Sequence, residues 1–450
     1  MSRTVELCLV WTTAAVVVGW QLFVPPVIGL ADQGDFVRVL GPLGYAPQPK
    51  GPEHKYWYLT RKYVWDPSYR APRFEQITSE LIPAGMTIAL HRAFTGQDAI
   101  DLTSVGFTHA AIFLLALARL LYVTRDLARR RLVWAAMLLI LTDVGYVAYW
   151  NSWYTEPASC LWFLFLLAES IALLLADRPS MGMVLRWNIF AILLITAKTQ
   201  NAPLFIPLCA YGLRLAWRAF DRSTRCAAFA GAAATLAAGI VMYSCALPAP
   251  RLTNTYNMIF FAVLPESDDP AGDLKALGLD PGYARFSGTV AWSPGTGVAD
   301  GSVVAAMQAK VSPLTLVAFY AKRPARLWKR VKAVLLVALS LRPEFCGNFD
   351  RSAGRFPGAR SHAIALWSSI HERYLSRAGV YLLGAILLAP FAGLLLLFKA
   401  GLPPGLRRWT ELGICLTTCC SVAFLSAAFG DAWEPVKHQF LFNLLLDACL

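Results

Sequence analysis

The chain has 450 residues, 57% of them hydrophobic and 15% charged, where a soluble domain carries roughly a quarter charged residues. Its mean hydropathy is +0.49, and the apolar residues gather in runs that approach the roughly 20 needed to cross a hydrocarbon core. This describes a polytopic membrane protein and excludes a disordered chain, a secreted disulfide scaffold and a soluble nucleic-acid binder. The net charge of +13 fits that reading, because its arginines cluster in short connections between apolar runs.

In chain order, the run 7–30 reads as an uncleaved first span rather than a signal peptide. Glu6 weakens the leading basic region, the apolar stretch is long, and Pro25-Pro26 interrupt it. With the amino terminus inside, residues 31–101 form a first outer loop. There Tyr56, Trp57, Tyr58, Tyr63, Trp65 and Tyr69 alternate with Lys55, Arg61, Lys62 and Arg70. Beside a membrane, that mixture suits an amphipathic interfacial segment.

The second span, 102–123, returns to Arg125, Arg129, Arg130 and Arg131. Such arginine-rich short loops mark the inner side. The third span, 132–150, leads out to the short loop 151–156, and the fourth, 157–176, leads back. Residues 187–216 divide at Lys198-Thr199-Gln200-Asn201-Ala202-Pro203. One continuous helix would bury Lys198 near mid-bilayer, so two short helices meeting at a polar break are expected. They return the chain to Arg214, Arg218, Arg222 and Arg225.

The span 226–247 leads to an outer hydrophilic region, 248–377, with an expected helix at 313–320 and an interfacial one at 331–341. Spans at 380–398 and 412–429 follow, flanking Lys399, Arg407 and Arg408. The expectation is an all-α polytopic membrane protein with nine or ten crossings. It divides into a membrane core (1–247), an outer region (248–377) and carboxy-terminal helices (378–450). The ten cysteines show no metal-ligand or disulfide spacing, and no internal repeat is present.

This parity sorts the uncommon polar residues onto the outer side. Asp32 and Asp35 would share a face of a helical turn. Such carboxylates act as a general base, hold a divalent cation through oxygen ligands, or simply begin a helix in solvent. Glu156 opens a span, where an acid suits the helix N-terminus. Its neighbours Asn151, Ser152, Trp153 and Tyr154 carry the amides, hydroxyls and aromatic faces that bind sugars. Lys437 and His438, near Asp431 and Glu434, can meet a phosphate or form a solvated loop. Lys198, beside Gln200, either snorkels or contacts an anionic substrate.

Taken in order, these pieces resemble bacterial glycan-biosynthesis hexose transferases with the C-type glycosyltransferase architecture. The residues that carry the resemblance are Gly34-Asp35-Phe36-x-Arg38, Asn151-Ser152-x-Tyr154-x-Glu156-Pro157 and Asn254-Thr255-Tyr256-Asn257 through Phe260-Phe261. Asp273-Leu274-x-x-Leu277-Gly278-Leu279-Asp280-Pro281 and Gly288-Thr289 follow, then Gly430-Asp431 and Lys437-His438-x-Phe440-Leu441-Phe442-Asn443. One departure is Ala432, where the pattern has a second glycine.

The resemblance implies sugar transfer from a polyprenyl-phosphate donor to a glycan or lipid acceptor, at the outer face of the bacterial cytoplasmic membrane. Asp35 stands where the family architecture places its catalytic acid, with Asp32 beside it. The substrate-binding candidates are Arg38, Asn151, Tyr154, Glu156, Lys198, Gln200, Asn257, Asp431, Lys437 and His438. No metal ligands are assigned, and a divalent cation is the one cofactor left open. The partners expected are the donor, the acceptor and membrane lipids, with no nucleic acid. Two other classes fit the composition: a flippase for a lipid-linked saccharide, and a non-catalytic component of a polysaccharide-export complex.

Overall fold

The computed structural model describes residues 2–48, 56–69, 78–218, 221–245 and 248–450. Lys55, Arg70 and the expected span end at Leu247 lie outside the described residues. Among those described, six helices are long and apolar enough to cross a membrane. They are Arg3–Phe23, Leu102–Thr124, Glu156–Leu175, Arg222–Ser244, Leu366–Leu397 and Pro404–Gly430. Counting each of two bent helix pairs as one span raises the number to eight. Against the nine or ten crossings expected, the described residues hold six to eight candidate spans. The difference lies in short apolar helices such as Met181–Ala197 and Phe440–Cys449, which fall below the roughly 20 residues a span requires.

Local chemistry accounts for the breaks. The first helix stops at Phe23, short of the expected end at residue 30, because Pro25 and Pro26 have no N–H to continue it. The expected third span is instead Arg130–Leu141 and Val144–Trp150, bent by 53°. Asp143 starts its second half by accepting a hydrogen bond from the Gly145 N–H at 2.8 Å. The break at Lys198 appears as expected. Met181–Ala197 ends there, a 3-10 turn covers Thr199–Leu204, and Phe205–Arg218 resumes.

Two small antiparallel sheets amend the all-α expectation. Strand β1 (Ile28–Leu30) pairs with β5 (Cys346–Phe349), while β2 (Tyr45–Gln48), β3 (Lys62–Trp65) and β4 (Ile100–Asp101) form the other. The aromatic first loop is therefore partly a sheet, with Tyr63 buried in the core and Trp57 and Trp65 exposed. Alternation of β-branched and aromatic residues in 62–65 favours that pairing. Cys346 is buried on β5, and all ten cysteines are free thiols.

The region 248–377 is more helical than its turn signals suggest. It contains Pro248–Tyr256, a π-helical turn Asn257–Val263, Pro270–Ala276, Gly301–Lys310, Pro313–Ala321 and Pro324–Ala338. Much of it packs a second core around Tyr256, Phe260, Leu274 and Met307.

The two ends of the main bundle differ in chemistry. At one end, Glu6 pairs with Arg130 and Arg131, Glu169 with Arg119 and Arg186, and Glu411 with Arg214. At the other end stand the first residue of the Glu156 helix, Lys198 at the end of its own helix, and Asp431 at the end of Pro404–Gly430.

Candidate functional site

The acids, amides and cations expected at an outer site converge at this second end. Asp35 follows β1 and precedes the short helix Val37–Leu43. Lys437 lies in the turn Pro435–His438 and donates to Asp35 Oδ2 at 2.7 Å. Arg38 reaches Asp35 Oδ1 at 3.1 Å. Lys437 also pairs with Glu434, and its ammonium lies 5.4 Å from the Tyr154 ring centroid and 5.8 Å from that of Phe345. Two carboxylates and two aromatic faces thus enclose this cation, whose side chain is 3% exposed.

Burial would raise the Asp35 carboxyl, but Arg38, Lys437 and Lys198 outweigh it and hold it well below the usual carboxylate range. Burial likewise favours loss of the Lys437 proton, yet Asp35, Glu434 and Glu156 outweigh it and hold the ammonium charged. Both groups are ionised across physiological pH.

Beside this pair, Lys198 donates to Glu156 Oε1 at 2.7 Å. The other Glu156 oxygen is buried and accepts no hydrogen bond from the described residues. The Tyr149 hydroxyl and the Gln439 amide are also buried and find no partner among the described residues. Buried polar atoms are ordinarily satisfied, so an unsatisfied carboxylate oxygen beside two lysines is a place for a hydrogen-bond donor.

His438 continues the cluster. Its Nδ1 lies 3.1 Å from Gln200 Oε1, its Nε2 lies 3.5 Å from Asp431 Oδ2, and its carbonyl accepts from Gln200 Nε2 at 2.7 Å. A neutral ring can donate to only one of these acceptors, and an imidazolium to both. Burial and the charges of Lys198 and Lys437 outweigh Asp431 and lower the His438 pKa. Asp431 is held below its ordinary value despite burial, through His438, the Trp433 N–H and Asn257.

Other candidates have structural roles. Asp32 Oδ1 accepts from the Gly34 and Phe36 N–H groups at 2.7 and 3.2 Å, which shapes the turn that presents Asp35. Asn151 is fully buried and donates through Nδ2 to the Leu22 and Ile28 carbonyls. It holds the end of the first helix against β1. Tyr154 accepts from the Gln33 N–H at 3.0 Å and donates to the Ala31 carbonyl at 3.3 Å, so it braces the Asp35 loop. Asn257 donates to Asp431 Oδ1 at 3.1 Å and accepts from the Ala291 N–H at 2.9 Å.

Three contributors fell outside the sequence-based candidates. Glu434 completes the cage around Lys437 and occupies the left-handed region at φ 51°, a conformation that costs a non-glycine residue energy. Glu80 and His109 form a fully buried pair at 2.7 Å. Glu80 also accepts from the Ala158 N–H at 2.9 Å, which caps the first turn of the Glu156 helix. Burial raises the Glu80 carboxyl, with His109 and the Ala158 N–H opposing. Glu80 lies in polar sequence before a helix, where local spacing carries no sign of a distant histidine.

Among the described residues, no group of three or more His, Cys, Asp or Glu side chains is arranged to hold a metal ion. The Asp35 and Glu434 carboxylates instead meet the Lys437 ammonium.

The family model described as YfdI N-terminal transmembrane domain matches residues 1–450, and the chain belongs to that family. No curated protein and no solved structure matches it.

Proposed function

We propose that this member of the YfdI N-terminal transmembrane domain family is a membrane glycosyltransferase with a C-type architecture. It moves a sugar from a polyprenyl-phosphate donor to a glycan or lipid acceptor at the outer face of the bacterial cytoplasmic membrane. The observation that supports this reading is the convergence of Asp35, Glu156, Lys198 and Lys437 from four separate segments. They meet at the bundle end opposite the arginine pairs. Arginine-rich ends tend to face the cytoplasm, which supports an outer location for the cluster.

In this reading the acceptor oxygen attacks the anomeric carbon as its proton passes to Asp35. The bond between that carbon and the phosphate oxygen breaks, polyprenyl phosphate leaves with the electron pair, and the anomeric configuration inverts. An ion-paired carboxylate is a weak base. The donor phosphate offers Lys437 a competing anion, and as that contact forms the Asp35 carboxylate regains basicity. A phosphate leaving group needs little protonation, so one carboxylate suffices. Lys198 adds positive charge where the departing phosphate gathers negative charge, and removal of one such contact costs about 2.7–4 kcal/mol in the transition state. The open Glu156 oxygen orients a sugar hydroxyl.

The test is transfer from a panel of polyprenyl-phosphate sugars in proteoliposomes, with Asp35→Asn beside the native chain. Transfer by the native chain and loss in the variant supports the proposal. Full turnover by Asp35→Asn overturns the base assignment, and no transfer from any donor by the native chain overturns the reading itself.

A further inference from the structure

Next to the ionic cluster stand three aromatic rings that the transfer chemistry does not use. Trp433 makes edge-to-face contacts with Phe261 at 5.3 Å and with Trp292 at 5.4 Å. Trp292 is 54% exposed and Phe261 36%. The three come from separate segments: the π-helical turn Asn257–Val263, the loop before Gly297, and the loop after Gly430.

A single buried side chain ties those segments together. Asn257, fully buried, lies one helical turn before Phe261. Its Nδ2 donates to Asp431 Oδ1, which also accepts from the Trp433 N–H at 3.0 Å. Its Oδ1 accepts from the Ala291 N–H, immediately before Trp292. One amide therefore sets the positions of all three rings, and the patch is built rather than incidental.

We propose that Trp292, Trp433 and Phe261 form a binding shelf for a hexose ring of the acceptor saccharide. This rests on the transferase reading and extends it to the second substrate. The chemistry favours a sugar over a lipid tail. A pyranose presents a face of C–H groups to an aromatic ring and hydroxyls around its rim. Glu434, next to Trp433 in the chain and with its side chain 20% exposed, supplies a carboxylate for those hydroxyls. A hydrocarbon tail laid here would desolvate that carboxylate with no hydrogen bond in return. The shelf adjoins Glu434, itself bound to Lys437, so a saccharide held there borders the Asp35 site.

The test is saturation-transfer NMR on the full chain in nanodiscs with free maltose, lactose and α-1,2-mannobiose, without donor. It reads sugar binding independently of transfer. The native chain is expected to bind at least one disaccharide. Trp292→Ala should weaken it about tenfold, the scale for a truncated aromatic anchor, and Trp292→Tyr should retain most of it. Trp292 is exposed, and gel filtration of each variant confirms folding. Disaccharide binding that Trp292→Ala leaves unchanged overturns the proposal and makes the rings a membrane-interface belt. No binding of any disaccharide by the native chain overturns it too. Binding lost in Trp292→Ala, in a chain that transfers no sugar, keeps the shelf and removes the transferase reading.

Discussion

The Lys437 ammonium donates to Asp35 Oδ2 at 2.7 Å across 402 positions of sequence. The contact joins the loop after the first spanning helix to the turn before the last apolar helix, and it draws the candidate base and its counter-ion into one buried unit.

Asp35→Asn is expected to lower sugar transfer by about 10²–10⁴-fold, the range for a lost general base. Lys437→Met leaves Asp35 and Glu434 facing each other without their shared cation. A broken buried pair costs about 3–5 kcal/mol of stability, with part recovered in the double variant. A double-mutant cycle on thermal unfolding in detergent measures this, and a coupling energy near zero contradicts the geometry.

Glu156 and Lys198 form the second buried pair, at 2.7 Å. Lys198→Met alone should destabilise the protein by about 3–5 kcal/mol, because the carboxylate left behind is buried and unpaired. Glu156→Gln with Lys198→Met should unfold at a higher temperature than Lys198→Met alone. If the two variants melt together, the pair carries no interaction.

Acid should destabilise the protein in two stages. The His438 pKa is depressed below its ordinary 6.5. The unfolded chain therefore takes up that proton first, and stability falls as pH drops below 6.5 toward the folded pKa. The Asp35 and Asp431 pKa values are depressed below 3.8. Their contribution is complete above that value and is lost as pH falls below it. Denaturation midpoints followed from pH 8 to about 3 should show both stages, and His438→Gln should remove only the upper one. An unchanged upper stage in that variant assigns it to another group.

Gly106 and Gly29 test the clamp at Asn151. A methyl group on Gly106 would collide with the Asn151 side-chain carbonyl, and one on Gly29 with the Asn151 backbone carbonyl. Gly106→Ala should lower stability by about 1–3 kcal/mol, the usual cost of overpacking. Asn151→Ala should do so by a similar amount, since it strips the Leu22 and Ile28 carbonyls of their donor. Urea titration in detergent reads both, and a neutral Gly106→Ala contradicts the close packing.

Much of this architecture was legible in composition. Apolar runs located most spans, the polar break at Lys198 marked a divided helix, and clustered arginines separated one end from the other. Hydropathy does not reveal where a helix stops or bends. Pro25-Pro26 end the first helix, and Asp143 restarts the third. Residues 62–65 pair as a strand because partners exist at Tyr45–Gln48 and Ile100–Asp101, distant segments invisible to local periodicity.

At the site, sequence named Asp35, Glu156, Lys198, Lys437 and His438 from their rarity in an apolar chain and their common side. It could not separate Asp35 from Asp32, since both are acids three positions apart. Backbone geometry separates them: Asp32 accepts the Gly34 and Phe36 N–H groups, and Asp35 points to Lys437. Asn151 and Tyr154 looked like sugar contacts by residue type, and the structure shows their polar atoms on the Leu22, Ile28 and Ala31 carbonyls.

Sequence by itself determined that this is a membrane protein with an arginine-lined end and an end rich in acids and amides. Hydrophobicity and charge act residue by residue along the chain, so composition and order suffice to read them. Only the tertiary structure decided which charges neutralise one another, that Glu434 belongs to the cluster while Glu80 caps the Glu156 helix, and that Asn257 aligns three aromatic rings. Those outcomes depend on contacts of about 3 Å between segments brought together by helix packing, and no local pattern encodes them.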